Sequence, residues 1–464
     1  MAERAPPLIL GAGPAGIRAA MTLVAAGLRP IVVDESHAGG GQIYRQPLIA
    51  DGRGAKARYD SEAAKAMRLH RDFAALGTDI DYRPNTLLWN LRDGAADIIS
   101  DGVSRRISYD GLVLATGATD RVLPIPGWTL PGVFTLGGAQ IALKAQGCAI
   151  GKRVVFAGSG PLLYLVAWQY MKAGVEVAAV LDAAPLAAKL NLLRALPLAP
   201  GIVLRGVRMA AELTLRGTRV VFGADRLSIE GEGRVARIVY RDGGREHAIA
   251  CDGVGYGLNL RSETQAADLA GCAFRFDPRD RAHLPVRDAS GRSSVAGVYL
   301  AGDGARIAGA DAAEAAGERA ALALLQDRGL SHDSSRAAVL ERALVKIDRL
   351  RDVLEAAFPY PSQWAPEIAD DTLLCRCEEI TTGEALRAIR DFTLTEINRL
   401  KAVTRIGMGR CQGRMCGAAA AELLAAQTRR DIDAVGRLRA QAPIKPIPLA
   451  AGLSIDARQH DPAH

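Results

Sequence analysis

The 464-residue sequence lacks a long apolar run, and its cysteines do not form an even set. No stretch reaches the roughly 20 consecutive apolar residues that span a bilayer, so we expect no transmembrane segment. The apolar segment 8–10 is too short for a secretory signal and leads at once into a glycine-rich turn. Seven cysteines, an odd number, argue against a disulfide framework. Together these absences predict a cytoplasmic protein.

Aromatic residues and excess charge are also scarce. Phe, Trp and Tyr make up 5% of the sequence, and the net charge of +7 is the difference between 58 basic and 51 acidic residues. A nucleic-acid surface needs clustered basic residues with aromatic rings among them, so we expect no nucleic-acid partner. The seven histidines show no spacing typical of metal ligands or of a triad, and we predict no catalytic residue in this chain.

Glycine and apolar residues are abundant instead. The sequence has 49 glycines and 49% hydrophobic residues, a composition typical of α/β proteins with many tight turns between strands and helices. Its length is enough for two to four domains with a sizeable core. The function of the chain is therefore to be sought first in its glycine-rich turns.

The first glycine-rich turn joins a predicted buried strand to a predicted helix. Its pattern is G-x-G-x-x-G, with Gly11 for the tight turn, Gly13 for close approach to a pyrophosphate and Gly16 for packing of the helix on the strand. Pro14 and Ala15 lie inside the same turn. An anionic pyrophosphate is stabilised at a helix N-terminus, so we predict that a dinucleotide binds here.

Two acidic residues and a second glycine-rich segment complete this site. Asp34 and Glu35 end a strand about 20 residues after the first turn, the distance typical of a carboxylate that binds a ribose. We favour Glu35 because it is the last residue before the loop. In that loop, Gly41 allows close backbone approach, and Gln42 and Arg45 offer hydrogen bonds to the cofactor.

Two later strands end in short turns of small residues. Thr116 and Gly117 follow one apolar strand, and Gly302 and Asp303 follow another that leads into an alanine-rich helix. A short carboxylate in the second turn can bond a polyol hydroxyl, which the ribityl chain of a flavin supplies. The three motifs together resemble the FAD-binding signature of glutathione-reductase-like flavoproteins. This resemblance implies an α/β fold with two dinucleotide-binding domains and FAD in the first.

A second G-x-G turn lies beyond a predicted domain crossing at the prolines of residues 124–132. Gly158 and Gly160 occupy its first two glycine positions, but Leu163 occupies the third. Asp182 ends the next strand and suits the free 2′-hydroxyl of a ribose, which argues against NADP. Three alternatives stay open for this site: NAD, an adenine nucleotide such as ATP, or no ligand.

Four of the seven cysteines cluster near the C-terminus. One residue separates Cys375 from Cys377, and four separate Cys411 from Cys416. Zinc sites usually have two to four residues between paired cysteines, so this spacing favours a [2Fe-2S] cluster with two thiolates on each iron. Structural zinc and four unrelated buried cysteines are the alternatives. The pattern resembles the small helical [2Fe-2S] domain of bacterioferritin-associated ferredoxin, in which the last two cysteines are usually closer.

The sequence around these cysteines is rich in arginine and glycine. We expect the arginines to surround an anionic cluster and to raise its reduction potential; they are Arg376, Arg405, Arg410 and Arg414. The glycines supply turns beside the second cysteine pair; they are Gly407, Gly409, Gly413 and Gly417. The other cysteines stand alone, so we expect small buried residues and no redox-active disulfide; they are Cys148, Cys251 and Cys272.

The order of motifs over residues 6–450 is similar to that of one family. It includes Gly-Gly-Gln-Ile-Tyr-Arg-Gln in the loop after the ribose-binding strand, and Arg-Cys-Glu-Glu and Gly-Met-Gly-Arg-Cys-Gln-Gly around the clustered cysteines. The family comprises the FAD-binding large subunits of heteromeric bacterial amine and amino-acid dehydrogenases. Its members include the large FAD-binding subunits of opine (octopine/nopaline) oxidase and of hydrogen cyanide synthase, and the D-hydroxyproline dehydrogenase group.

This resemblance implies a hetero-oligomer in which a glycine-oxidase-like FAD subunit oxidises a secondary amine or amino acid. It also implies a small ferredoxin-like subunit in many members and an FMN that can lie between subunits. The present chain would then pass electrons to an acceptor other than oxygen. Two alternatives stay open: a stand-alone NADH-dependent reductase with a flavin and an iron–sulfur cluster, and a non-enzymatic scaffold that keeps only ADP or ATP in the first site.

The predicted domain organisation, in chain order, is a first part of the FAD-binding domain (1–130), a second Rossmann-like domain of the NAD or adenine-nucleotide type (131–265), the return of the FAD-binding domain (266–330), a helical linker (331–370), the [2Fe-2S] domain (371–430) and an extended arm (431–464). The arm has too few apolar residues to form a core of its own. We therefore expect it to lie across a partner protein.

Overall fold

A computed structural model describes residues 4–49 and 52–453, and two five-stranded parallel sheets form its framework. Within these residues no helix combines the length and apolar character that crossing a membrane requires. Each sheet belongs to one of the two predicted dinucleotide-binding domains, and the four clustered cysteines lie in a small domain that follows them.

The first sheet consists of short strands that are buried on both faces. Its parallel strands, in spatial order, are Val298–Leu300, Leu112–Leu114, Leu8–Leu10, Ile31–Val33 and Asp81–Arg83. The first four of these are apolar at every position, as expected for a parallel sheet covered on both sides. One face packs against the helices Pro14–Ala25, Ala63–Ala74 and Ala310–Asp327.

The other face of the first sheet packs against a small antiparallel sheet. Its strands are Leu87–Arg92, Ala95–Ser100 and Val103–Ser108. Side chains such as Leu88 and Ile98 share one core with Leu10 and Leu114, and the short helix Gln265–Leu269 adds to it. Because neighbouring residues of a strand point to opposite faces, each central strand contributes to both cores.

The second sheet has the same design. Its parallel strands, in spatial order, are Arg219–Phe222, Glu176–Asp182, Arg153–Ser159, Gly253–Leu258 and Val133–Thr135. The helices of this domain are Leu136–Lys144, Pro161–Lys172 and Pro200–Leu215. A three-stranded antiparallel sheet belongs to the same domain; its strands are Asp225–Glu230, Arg237–Asp242 and Arg245–Ala250.

The chain crosses between the two domains in a ribbon of two antiparallel strands, Ala118–Asp120 and Leu260–Ser262. The proline-rich stretch 124–132, predicted as the crossing, lies beyond this ribbon. There Ile125 and Trp128 are already buried in the core of the second domain. Two prolines of residues 124–132 do lie in turns. The crossing itself is the extended backbone of the ribbon, which needs no turn residue.

The remaining elements are short. They are the helices Ala55–Tyr59, Leu186–Lys189 and Leu449–Leu453, the hairpin Phe274–Asp277 with Ala282–Pro285, and the 3₁₀ turns Asp60–Glu62, Gly77–Asp79, Leu190–Ala195, Gly302–Gly304 and Ser362–Glu367.

A long helix, Ser334–Ala357, leads to the C-terminal domain. The elements of that domain are the hairpin Leu373–Cys375 with Ile380–Thr381 and the helices Thr382–Asp391, Ile397–Thr404 and Gly417–Thr428. Its buried side chains, among them Leu374 and Leu423, form one continuous core with Tyr256 and Trp128 of the second domain. The indole N–H of Trp128 also donates to the carbonyl of Leu373 at 2.7 Å.

The arm that follows runs across the chain's own domains as far as residue 453. Ile444 is 4% exposed in the core beneath the first sheet, and its N–H donates to the Trp89 carbonyl at 3.1 Å. Arg437 forms an ion pair with Asp268. The few apolar side chains of the arm therefore insert into this chain, whereas the sequence predicted a partner. Residues 454–464 of the predicted arm lie outside the described residues.

We expect Ile444→Ala to release this part of the arm locally. Removing a buried isoleucine side chain costs about 2–4 kcal/mol, so amide hydrogen exchange at residues 440–446 should accelerate by roughly 30-fold or more. Leu449→Ala is the matched control, because Leu449 is 92% exposed. Equal exchange in the two variants would show that Ile444 does not hold the arm.

Candidate functional site

The first glycine-rich turn lies where the first sheet meets the helix Pro14–Ala25. Gly11 has a φ of 102°, and a Cβ there would lie 2.3 Å from the carbonyl oxygen of Ala115. A Cβ on Gly16 would lie 1.8 Å from the carbonyl oxygen of Gly11. Both glycines are therefore required by contacts of backbone with backbone, as the motif predicts.

Gly13 has a different surrounding. The nearest atom to a Cβ built there is the Cα of Gly41, at 3.6 Å, and Gly13 caps the helix without a side-chain hydrogen bond. Two glycines from separate segments thus face each other at a helix N-terminus. Because neither glycine has a side chain, a pyrophosphate can come close to the backbone N–H groups at the helix N-terminus. The residues present therefore fit the ADP part of a dinucleotide.

The structure separates the roles of the two adjacent acids. The Asp34 carboxylate accepts hydrogen bonds from the N–H groups of Ala12, at 2.5 Å, and Ser36, at 2.6 Å, and so lies at the glycine turn. Glu35 is 51% exposed and pairs with Lys445 of the arm. Successive side chains at a strand end point in opposite directions, so only one of the two can face the turn. The geometry favours Asp34 as the ribose ligand, whereas the sequence analysis favoured Glu35.

The other predicted contacts gather around the same glycine turn. The Arg45 guanidinium donates to Ser36 Oγ at 2.8 Å and to Gln42 Oε1 at 3.2 Å, next to Gly41. Sequence analysis missed Lys144, whose buried ammonium donates to the carbonyl of Ile43 at 3.1 Å. Burial lowers the pKa of Lys144 to about 8. A lysine at the end of a helix is usually a solvated C-terminal residue, so its position gave no signal.

The turns that contain Thr116 and Asp303 lie next to the first glycine-rich turn. A Cβ on Gly304 would lie 2.4 Å from Thr116 Oγ1, and one on Gly302 would lie 2.9 Å from the methyl group of Ala15. Asp303 Oδ1 accepts hydrogen bonds from the N–H groups of Ala308 and Gly309 at 2.8 and 3.0 Å. Burial raises the pKa of Asp303.

All three motifs therefore lie at the carboxyl ends of adjacent parallel strands, the edge where such sheets bind ligands. Thr116 and Gly117 come from one strand, and Gly302 and Asp303 from its neighbour. The structure brings the predicted FAD-binding residues of the first domain into one region, with Glu35 directed away from it.

The surroundings of the second glycine-rich turn differ from those of the first. A Cβ on Gly160 would lie 2.0 Å from Asn259 Oδ1, so the space that is open above Gly13 is filled here by a side chain. The amide of Asn259 donates to the carbonyl of Phe358 at 3.4 Å. Leu163 is completely buried in the core of the domain.

The acid of this second turn is also engaged within the chain. Asp182 is 0% exposed, pairs with Lys189 Nζ at 2.7 Å and accepts from the Tyr164 hydroxyl at 2.8 Å. The Lys189 ammonium lies 3.6 Å from the ring centroid of Phe358. The chain's own Asn259, Lys189 and Phe358 thus occupy the surroundings that a pyrophosphate and a ribose would need. Sequence analysis missed all three. Phe358, for example, is almost 200 residues from the turn that it covers.

The four clustered cysteines come together at one end of the C-terminal domain. Cys416 contacts Cys375 and Cys411, and Cys411 also contacts Cys377. Contact with Cys416 lowers the pKa of Cys375 to about 6 and holds the pKa of Cys411 well below its usual range. Burial raises the pKa of Cys377, and contact with Cys375 and Cys411 raises the pKa of Cys416, so it is the clustering of the four sulfurs that fits a metal centre.

The four sulfurs form one cluster, in which each contacts at least one other. In the described part of the chain no three His, Cys, Asp or Glu side chains surround one point as a single ion requires. The preference for a [2Fe-2S] cluster over zinc rests on the cysteine spacing, as predicted from the sequence.

Glycines allow the segment around the second cysteine pair to fold tightly. A Cβ on Gly409 would lie 2.4 Å from the Cβ of Cys377. Leu438 of the arm reaches the same place, because its Cδ1 atom would lie less than 3 Å from a Cβ on Gly407, Gly413 or Gly417. The arm thus places an apolar side chain against the cysteine loop.

Two of the four arginines that are predicted to surround the cluster form ion pairs. Arg405 pairs with Glu378 at 2.7 Å, and Arg414 pairs with Glu263 at 2.7 Å, so carboxylates compensate both charges. Sequence analysis missed Arg261, which comes from the crossing ribbon and donates to the Arg414 carbonyl at 3.3 Å.

Comparison with known proteins agrees with these two sites. Residues 7–317 match the family model for pyridine nucleotide-disulphide oxidoreductases, and residues 373–426 match that for the BFD-like [2Fe-2S] binding domain. The chain is similar to the A-type subunit of the opine oxidase of Rhizobium meliloti, with 39% identity over 96% of this chain and 86% of that protein. It is also similar to the hydrogen cyanide synthase subunit HcnB of Pseudomonas protegens, with 34% identity over 98% and 99% of the two chains.

Solved structures share the fold. The L-proline dehydrogenase of P. horikoshii superposes with a TM-score of 0.73 at 19% identity, over 97% of this chain and 79% of that one. The thioredoxin reductase of T. acidophilum superposes with a TM-score of 0.52 at 22% identity, over 70% of this chain and 99% of that one. The predicted α/β fold with two dinucleotide-binding domains is therefore confirmed, as is the C-terminal [2Fe-2S]-type domain.

The contrast between the two turns predicts opposite effects of the same substitution. Gly13→Ala should fold normally, because its φ of −81° is ordinary, but the new methyl group should weaken FAD binding by about tenfold or more, roughly 1.4 kcal/mol. Gly160→Ala should lower the melting temperature and leave FAD binding unchanged, because φ is 109° and Asn259 blocks the Cβ. Flavin content after dialysis measures FAD binding, and thermal unfolding measures the melting temperature. Equal FAD retention in the two variants would contradict the prediction.

Proposed function

The chain belongs to the pyridine nucleotide-disulphide oxidoreductase family and, within it, to the group of the opine oxidase A-type subunits, and from this premise we propose that it is the electron-transferring subunit of a heteromeric dehydrogenase. FAD would be held by the first glycine turn, and a [2Fe-2S] cluster by the four C-terminal cysteines. FAD accepts two electrons as a hydride and a [2Fe-2S] cluster carries one at a time, so a chain with both can take electrons in pairs and release them singly.

One observation carries this proposal: the FAD-type site and the cysteine site are connected through a single short segment. The backbone of Glu263 bonds the Thr116–Gly117 turn, and its carboxylate pairs with Arg414 between Cys411 and Cys416. Residues of both sites are therefore fixed relative to each other by direct hydrogen bonds. Such fixed spacing is what electron transfer within one chain requires.

We propose that a secondary amine or amino acid, such as an opine, is oxidised on another subunit. Relatives named as subunits of opine oxidase and of hydrogen cyanide synthase support this substrate class and a multi-subunit assembly. The proposed partners are a glycine-oxidase-like FAD subunit together with a small ferredoxin-like subunit, with an FMN at an interface between subunits. We assign no catalytic residue to the present chain and place the assembly in the cytoplasm.

The geometry does not favour a stand-alone NADH-dependent reductase. Asn259 fills the space above Gly160, and Lys189 neutralises the carboxylate of Asp182. NADH binding would need the side chains of Asn259 and Lys189 and the buried ring of Phe358 to move. We propose that the second turn holds neither NAD nor ATP and serves as a packing site for the linker that leads to the C-terminal domain.

An exposed apolar surface on the second domain supports the presence of a partner. It lies within residues 186–207, beside the ion pair of Arg205 with Glu62. Its side chains are between 44% and 71% exposed; they are Leu186, Leu190, Leu193, Leu196, Ile202, Leu204 and Val207. Apolar patches of this kind are uncommon on monomers and mark interaction sites. We assign this surface to the amine-oxidising subunit.

The cofactor content of the isolated chain tests the function. We expect one FAD and about two irons per chain, and Cys377→Ser should lose the iron while it keeps the flavin. Cys148→Ser is the control, because Cys148 lies outside the cluster and is an exposed thiol, whereas the sequence analysis wrongly expected it to be buried like Cys251 and Cys272. Dithionite should bleach the flavin without oxygen, whereas NADH should not. A chain without flavin and iron would refute the proposal, and rapid bleaching by NADH would favour the reductase.

The apolar surface gives a second test. Leu190→Asp combined with Leu193→Asp should abolish co-purification with the co-expressed amine-oxidising subunit, because two charges cannot be buried in an apolar interface. Leu215→Asp is the control: Leu215 is 87% exposed and lies outside residues 186–207. Flavin and iron contents should stay unchanged in all variants. An intact complex with the double variant would show that the partner binds elsewhere.

A further inference from the structure

The crossing ribbon continues into a segment, residues 261–265, that lies between the two sites. On one side its backbone is bonded to the FAD-type site: the Glu263 N–H donates to the Gly117 carbonyl at 3.0 Å, and the Thr116 hydroxyl donates to the Glu263 carbonyl at 2.6 Å. On the other side its side chains reach the loop that carries two of the four cysteines.

Three side chains, two residues apart, hold that loop. Arg261 donates to the Arg414 carbonyl at 3.3 Å, Glu263 pairs with the Arg414 guanidinium at 2.7 Å, and Gln265 donates to the Gln412 carbonyl at 2.6 Å. All of these contacts fall between Cys411 and Cys416. The loop is therefore held by side chains of residues 261–265 in addition to the hydrogen bonds of its own domain, such as those from Gln412 to the carbonyls of Met408 and Gly409.

The charges in this group do not cancel. Glu263 and Arg414 neutralise each other, and both are 13% exposed. No ion pair joins Arg261 to a carboxylate within the described residues, and its guanidinium bonds only neutral carbonyls of the loop. Its Nη1 atom lies 3.9 Å from the position of a Cβ on Gly417, next to Cys416. One uncompensated positive charge thus lies behind the cysteine loop.

We propose that Arg261 is a positioning residue that also sets the reduction potential of the cluster. The inference rests on the proposed function, because it needs the cluster on the four cysteines. One-electron reduction adds a negative charge to an already anionic centre. A fixed, half-buried guanidinium stabilises that extra charge more than an exposed one does, so Arg261 favours the reduced state.

The other arginines near the cysteines do not have this property. Arg405 is the matched case: it lies in the same domain, but it is 65% exposed and paired with Glu378. Water and salt screen such a charge, and the carboxylate cancels most of what remains. Arg376 and Arg410 are exposed, so among these arginines Arg261 combines a half-buried position with the absence of an ion pair within the described residues, although it is far from the cysteines in the sequence.

The test is a potentiometric titration of the complete chain without oxygen, with dithionite as reductant and the EPR signal of the reduced cluster as readout. Arg261→Met removes the charge and keeps the length, so the midpoint potential should shift to more negative values. Arg261→Lys keeps the charge and should restore most of the wild-type potential. The control is Arg405→Met combined with Glu378→Gln, which removes a whole exposed ion pair without changing the net charge and should leave the potential unchanged.

The outcomes separate the two proposals. If the wild-type chain binds no iron, the proposed function fails whatever Arg261 does. If the wild type binds iron and Arg261→Met has an unchanged or more positive potential, the inference about Arg261 is overturned. If Arg261→Met loses its iron, the comparison moves to Arg261→Gln and Arg261→Lys, and equal potentials in these two variants would also overturn it.

Discussion

The position of the helix Pro14–Ala25 depends on contacts between backbone atoms that no side chain could enter. Gly16 meets the carbonyl of Gly11 on one side, and Gly317 of the helix Ala310–Asp327 meets the carbonyl of Ala15 on the other. The helix is thereby pressed between a strand and a second helix. This close packing brings its N-terminus to the edge of the first sheet, where the Thr116 and Asp303 turns also lie. The FAD-type site exists because these backbones touch.

The second domain shows that the same motif does not guarantee the same site. Gly158 has a positive φ angle like Gly11 of the first turn, but Gly160 has a φ of 109° where Gly13 has −81°. The third glycine position is Leu163, and the space above Gly160 contains Asn259. The buried pair of Asp182 with Lys189 uses a carboxylate that would otherwise face a ribose. In this structure the turn contacts Asn259, which is bonded in turn to Phe358 at the end of the helix that leads to the C-terminal domain.

Most of the first site could be predicted from the sequence, because its motifs are local and each glycine has a separate physical reason. The choice between Asp34 and Glu35 could not, since it depends on which way a strand end turns. Long-range contacts were also beyond reach: Phe358 covers a turn almost 200 residues away, and Arg261 reaches cysteines more than 100 residues away. The arm was predicted to bind a partner because its few apolar residues looked insufficient; two of them, Leu438 and Ile444, were enough to dock it on this chain.

The continuous core between the second domain and the cysteine domain limits how the protein can work. Leu374 and Leu423 pack in the same cluster as Tyr256, and Trp128 is bonded to the backbone beside Cys375. The cysteine domain therefore cannot swing outward as a tethered carrier, as small redox domains on flexible linkers do. An electron acceptor has to come to this fixed surface, and the tunnelling distance inside the chain stays constant through every turnover.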